Sequence, residues 1–130
     1  MSRAIKLQGY FGGEYDKPQP VEVTAVISGS GMGEILTLDC QGGYRVSVPY
    51  RPIAQLAREA VQIARQEKNV EPYIELEGQD SNLRRGKVAA YLRVRGNFLM
   101  LSLDFMNMGQ ISAPFAPIEK MVRTERGMFA

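Results

Sequence analysis

The chain has 130 residues, a formal net charge of +2, 45% hydrophobic and 23% charged residues, the make-up of an ordinary globular chain with room for a modest core. It holds no histidine and one cysteine, Cys40, which excludes a Ser-His-Asp triad, a Cys-His pair, the usual zinc sites and an internal disulfide. No apolar run approaches a helical membrane span, and the start Met1-Ser2-Arg3-Ala4 has no signal-peptide core, so an intracellular, cytoplasmic protein is expected.

In chain order, Ala4 to Tyr10 alternates Ile5 and Leu7 against Lys6 and Gln8, the pattern of a half-buried strand. A loop follows to Pro20, and Val21 to Ser28 is a second strand with Val21, Val23, Ala25 and Ile27 on one face. Gly29-Ser30-Gly31-Met32-Gly33 has the composition of a phosphate loop. Strand rather than helix follows it, so a hairpin connection is the better reading. Strands at Glu34 to Cys40 and Tyr44 to Val48 turn through Gln41-Gly42-Gly43. Cys40 falls at a core position and is expected to be a small buried apolar residue. Pro49 ends the strand, and a helix from Pro52 to Gln66 carries Ile53, Leu56, Ala57, Ala60 and Ala64 on one stripe. Strands at Tyr73 to Glu77, Lys87 to Arg95, Phe98 to Phe105 and Gln110 to Ala113 then lead to a short helix from Pro117. Gly127 offers it a stop, and the tail Met128-Phe129-Ala130 is expected to fray.

The second half repeats the first. Val46-Ser47-Val48-Pro49-Tyr50-Arg51-Pro52-Ile53 lies over Ile111-Ser112-Ala113-Pro114-Phe115-Ala116-Pro117-Ile118 at an offset of 65 residues. The same offset lays Ile35 to Cys40 over Met100 to Phe105 and Val23 to Ile27 over Val88 to Leu92. Ile5 to Gly9 matches Ile74 to Gly78 at an offset of 69; the extra four residues fall in a loop, where length changes are tolerated. The expected fold class is therefore α+β: a tandem duplication, ββββα-ββββα, in one domain. Residues 1–68 form one repeat and 69–130 the other, each an antiparallel four-stranded sheet with its own helix on one face and the other face free.

The free faces carry the candidate chemistry. Residues 84–95 hold Arg84, Arg85, Lys87, Arg93 and Arg95 with no acidic residue among them. Alternation puts Val88, Ala90, Leu92 and Val94 inside and Lys87, Ala89, Tyr91, Arg93 and Arg95 outside, beside Phe98, Met100 and Ser102. Interleaved aromatic and cationic side chains suit single-stranded nucleic acid, whose bases stack on rings while its phosphates meet cations. Lys6, Tyr10 and Arg45 are the first-half candidates; Glu75 and Glu77 share the outward side and oppose binding. Asp39 and Asp104, matched by the repeat, read as strand ends or turn caps, with no base or metal-ligand cluster near them in sequence.

The layout, with a strand reading Gln110-Ile111-Ser112-Ala113-Pro114 or Arg45-Val46-Ser47-Val48-Pro49 before each helix, resembles the Whirly proteins, the Pur-alpha repeats and coactivators of the positive-cofactor-four type. The lysine-rich motif of the plant Whirly proteins is lacking. The resemblance implies a Whirly-like fold, single-stranded nucleic-acid binding and assembly on the repeated units. The sequence-based expectation is thus a non-enzymatic protein without cofactor or metal, a homo-oligomer (dimer or larger), binding single-stranded DNA ahead of RNA. The alternative is a homo-oligomeric interaction or scaffold module. Val26, Ile35, Phe98 and Met100 on the outward side motivate the oligomer, because a monomer would leave them partly exposed.

Overall fold

A computed structural model describes residues 3–12, 17–29, 33–40, 43–66, 72–95, 98–106 and 109–127. The elements, in chain order, are β1 (Arg3–Gly12), β2 (Gln19–Ser28), β3 (Ile35–Cys40), β4 (Tyr44–Pro49), α1 (Tyr50–Gln66), β5 (Tyr73–Gln79), β6 (Arg85–Arg95), β7 (Phe98–Phe105), β8 (Gln110–Pro114) and α2 (Phe115–Gly127). Ser30, Gly31 and Met32 of the glycine-rich stretch, the tail Met128 to Ala130 and the side chain of Ala64 lie outside the described residues.

The expected α+β, Whirly-like pair of open sheets, each under its own helix, is overturned. All eight strands form one closed antiparallel barrel in sequential order, β1 to β8. Each half is a meander of hairpins, and closure comes from two further seams. Tyr10, Phe11 and Gly12 of β1 pair with Ser112, Ile111 and Gln110 of β8, and Ser47 of β4 pairs with Gln79 of β5. The physical reason is the edge problem. An open four-stranded sheet leaves two rows of unpaired N–H and C=O groups, and closure satisfies them without a partner. The first helix does not stay with its own half, and the second straddles both. The first lies against β6 and β5, and α2 lies against β7 and β1.

The seams repeat each other at the offsets seen in the sequence. Gly9 and Gly78 stand where a neighbouring strand comes closest. A Cβ at Gly78 would meet the Ser47 carbonyl oxygen and Val88 Cγ2, each at 2.6 Å, and one at Gly9 would press on the Ser112 carbonyl oxygen and Val23 Cγ2. Only glycine lets the two backbones approach this closely.

Alternation turns most apolar side chains inward, but Val94, expected on the inner face, is 47% exposed near the end of β6, beyond the packed part of the barrel. Val23, Leu36, Leu38, Val46, Leu101, Leu103 and Ile111 are fully buried, in one cluster with Ile53 and Ile118 of the helices. Cys40 is buried there as a free thiol, and burial pushes its thiol pKa up. Charged side chains face outward, the reverse of a barrel with a lipid-facing apolar band. No helix among the described residues is long and apolar enough to cross a membrane. The helices begin two residues before the expected prolines, at Tyr50 and Phe115, so Pro52 and Pro117 sit in the first turn, where a missing N–H costs nothing. The two aromatic rings are buried and stack at 6.3 Å between centroids, joining the starts of the helices. Tyr44 also ties the halves: its hydroxyl donates to the Gly109 carbonyl at 3.0 Å, and burial, with Asp104 nearby, pushes its pKa up to about 12.

The β5–β6 turn is built around Asp80. Its buried carboxylate accepts from the backbone N–H groups of Asn82 and Arg84 and from the Arg84 guanidinium, all at 2.9 Å. Burial alone would raise the Asp80 pKa; these donors outweigh it and hold the carboxyl below its ordinary range. Leu83 in this turn adopts φ 62° with 75% of its surface exposed. The left-handed region costs an L-residue roughly 1–2 kcal/mol, and an exposed leucine recovers little by burial. Leu83→Gly is therefore expected to stabilise the fold by up to about 1 kcal/mol, after the extra entropy glycine gives the unfolded chain. Thermal denaturation checks this, and a lowered midpoint refutes it.

Candidate functional site

Closure places one row of side chains across the outer side of five strands, with Ser102 at its centre buried. Tyr73 faces Tyr91, Tyr91 faces Ser102, Ser102 faces Ser112, and Ser112 faces Tyr10 across the β8–β1 seam. The Tyr73 and Tyr91 rings stack at 5.5 Å between centroids. Arg93, two residues along β6, holds its guanidinium carbon 5.8 Å from the Tyr91 ring centroid, a cation–π contact. At the centre of the row the Ser102 and Ser112 hydroxyls are hydrogen-bonded at 2.7 Å.

Beside this row runs a groove of about 580 Å³, lined by Tyr10, Lys17, Pro18, Arg93, Phe98, Met100, Ser102, Gln110 and Ser112. Phe98 is 69% exposed and Tyr10 46%, well above what a packed ring would show. Among these lining residues are two aromatic rings and two cations and no carboxylate. Residues from both ends of the chain make the groove, because β1 and β8 meet there.

Four of the residues singled out from the sequence come together here: Tyr10, Tyr91, Arg93 and Phe98. The others do not join them. Arg84 is engaged by Asp80 at 2.9 Å in the β5–β6 turn, a structural use. Arg45 pairs with Asp39 at 3.1 Å on the outside of β3 and β4. That also gives Asp39 a partner, away from Asp104 on β7. Lys6 stands 3.9 Å from Glu22 and Lys87 3.9 Å from Glu75; such exposed pairs contribute at most about 1 kcal/mol. Arg85 is exposed at the start of β6, eight residues or about 26 Å from Arg93 along the strand. The side chain of Arg95 lies outside the described residues.

Halfway along β6, Ala89 faces Glu75 on one neighbour and Asp104 on the other. These two carboxylates line a smaller concavity with Lys87 and Met106. A polyanion following β6 would have to pass between them. The basic run of residues 84–95 is therefore not one continuous surface: between the groove end and the Arg84–Arg85 end stand two carboxylates with one cation, Lys87, beside them.

No protein-family model, curated protein or solved structure matches this chain. The site must be read from its own geometry. Tyr73, Lys17, Gln110 and Ser112 were not identified from the sequence. Strand alternation already placed Tyr73 outward, on the side of Glu75 and Glu77, and the β5–β6 register then sets it on Tyr91. For Lys17, Gln110 and Ser112 no local signal existed, since only the β8–β1 seam brings them beside Arg93 and Phe98. Among the described residues, no group of three or more histidine, cysteine, aspartate or glutamate side chains is placed to hold a metal ion.

Proposed function

We propose that this protein binds single-stranded nucleic acid, DNA ahead of RNA, in the groove beside the tyrosine row, without catalysing a reaction. The observation that supports this reading is the composition of the groove: exposed Tyr10 and Phe98 with Arg93 and Lys17, and no carboxylate among its described lining residues. Base–aromatic stacking contributes about 1–3 kcal/mol per base and tolerates any sequence, so two rings outweigh a net charge of only +2. Arginine suits the position beside Tyr91 because its planar cation both stacks on a ring and pairs with phosphate oxygens.

Fluorescence anisotropy with labelled oligo(dT), titrated at several salt concentrations, tests the reading. Binding is expected for single-stranded oligomers, with weaker binding to the matched duplex, whose bases are not free to stack. Arg93→Ala is expected to weaken binding and to reduce the log–log salt slope by about 0.7, the value for one phosphate contact on a single strand. An unchanged slope in a folded variant removes Arg93 from the phosphate-contacting set. Self-association is the competing use of the same apolar side chains. Absence of oligomer binding, with a dimer in light scattering that Phe98→Ser dissolves, would assign Phe98 and Met100 to a second copy instead.

A further inference from the structure

The barrel contains a second row built like the first. Ala4 faces Val26, Val26 faces Thr37, Thr37 faces Ser47, and Ser47 faces Gln79 across the β4–β5 seam. Each member is the sequence counterpart of a member of the tyrosine row: Ala4 of Tyr73, Val26 of Tyr91, Thr37 of Ser102, Ser47 of Ser112 and Gln79 of Tyr10. The central hydroxyl pair is kept, with Thr37 Oγ1 and Ser47 Oγ 2.8 Å apart. The three aromatic rings are not. The counterparts of the groove's Arg93 and Phe98 are Ser28 and Gly33, so the second seam also lacks a cation and a ring at those places.

We infer that the two seams have divergent roles: each chain binds one single strand, laid across β6, β7, β8 and β1 along the tyrosine row, and the second row is silent. The inference rests on the proposed function and adds the path and the stoichiometry. The path follows from two observations. Glu75 and Asp104 flank Ala89 and, with one cation, Lys87, beside them, make a course along β6 less favourable, whereas between Tyr91 and Tyr10 the row holds no charge, only Ser112 and the buried Ser102. Three strand spacings separate those two rings, about 14 Å, a span that a short stretch of extended single strand covers. The shared hydroxyl pairs locate the difference between the seams in the rings rather than in the backbone. Both rows have the same strand register, so the side chains of one are sterically compatible with the frame of the other.

Isothermal titration calorimetry of the parent chain with a dT octamer gives the stoichiometry, and one octamer per chain at most is expected. The double variant Tyr10→Gln, Tyr91→Val writes the silent row into the tyrosine row. It is expected to lose at least about 30-fold in affinity, while Val26→Ala and Gln79→Ala bind like the parent. Two octamers per chain would overturn the inference. So would losses at Val26 and Gln79 as large as those at Tyr10 and Tyr91, because both rows would then be binding. A parent that binds no oligomer defeats the proposed function itself, whereas a binding parent with two equal sites defeats only the divergence. Thermal denaturation checks that each variant is folded, and the parent stoichiometry bears on the inference independently of any substitution.

Discussion

Gly78→Ala is expected to destabilise the barrel by about 3 kcal/mol, the upper end of what forced overpacking costs. The added methyl would sit 2.6 Å from the Ser47 carbonyl oxygen and from Val88 Cγ2, with Val48 Cγ1 at 3.0 Å. Backbone oxygen and buried valines cannot swing aside as the end of a flexible side chain can. Among the described residues the β4–β5 seam has one paired position, Ser47 with Gln79, so pushing these strands apart opens the barrel there and exposes the edges that closure covers. Gly9→Ala faces the same obstruction at the β8–β1 seam and is expected to cost a similar amount. The pair separates stability from binding. Gly9→Ala displaces Tyr10 from the groove and should reduce oligonucleotide affinity in the fraction that stays folded, whereas Gly78→Ala should leave that affinity near the parent value. Chemical denaturation gives the stabilities and anisotropy the affinities. A Gly78→Ala variant as stable as the parent would mean that the seam is looser than this geometry.

The other large effect concerns the rings. Tyr10→Ala with Phe98→Ala is expected to weaken oligo(dT) binding by about 2–6 kcal/mol, the sum for two stacked bases, and to leave the salt slope almost unchanged. Neither ring carries charge, and both are substantially exposed, so little core packing is lost and the fold should tolerate the change. Arg93→Ala behaves oppositely, with a smaller loss of affinity and a reduced slope. The contrast between the two responses is informative. A general loosening of the protein would lower affinity in both variants without changing either slope. Binding equal to the parent in the folded double variant would remove stacking in this groove from the account.

The internal repeat, the inward and outward faces of most strand positions and the apolar stripe of the first helix were determined by the sequence alone. These are local properties. A side-chain period of two or 3.6 residues is carried by neighbours along the chain, and matched segments at offsets of 65 and 69 residues need no structure to be found. Tyr91, Arg93 and Phe98 were legible as outward residues for the same reason, and Cys40, Val88, Ala90 and Leu92 as core. Pairing between strands distant in sequence is different. The same alternation is satisfied by two open sheets and by one closed barrel, because an edge strand and a seam strand bury the same face. The contacts that choose between them are backbone to backbone, at Gly9 beside Ser112 and Gly78 beside Ser47. Glycine there reads in the sequence only as a weak spot in a strand. Tertiary structure alone decided the closure, the seating of α1 on the strands of the other half, and the partners that occupy Arg84, Arg45, Lys6 and Lys87. It also decided the groove, since Tyr10 and Arg93 are 83 positions apart in the chain and become neighbours only when the first and last strands pair.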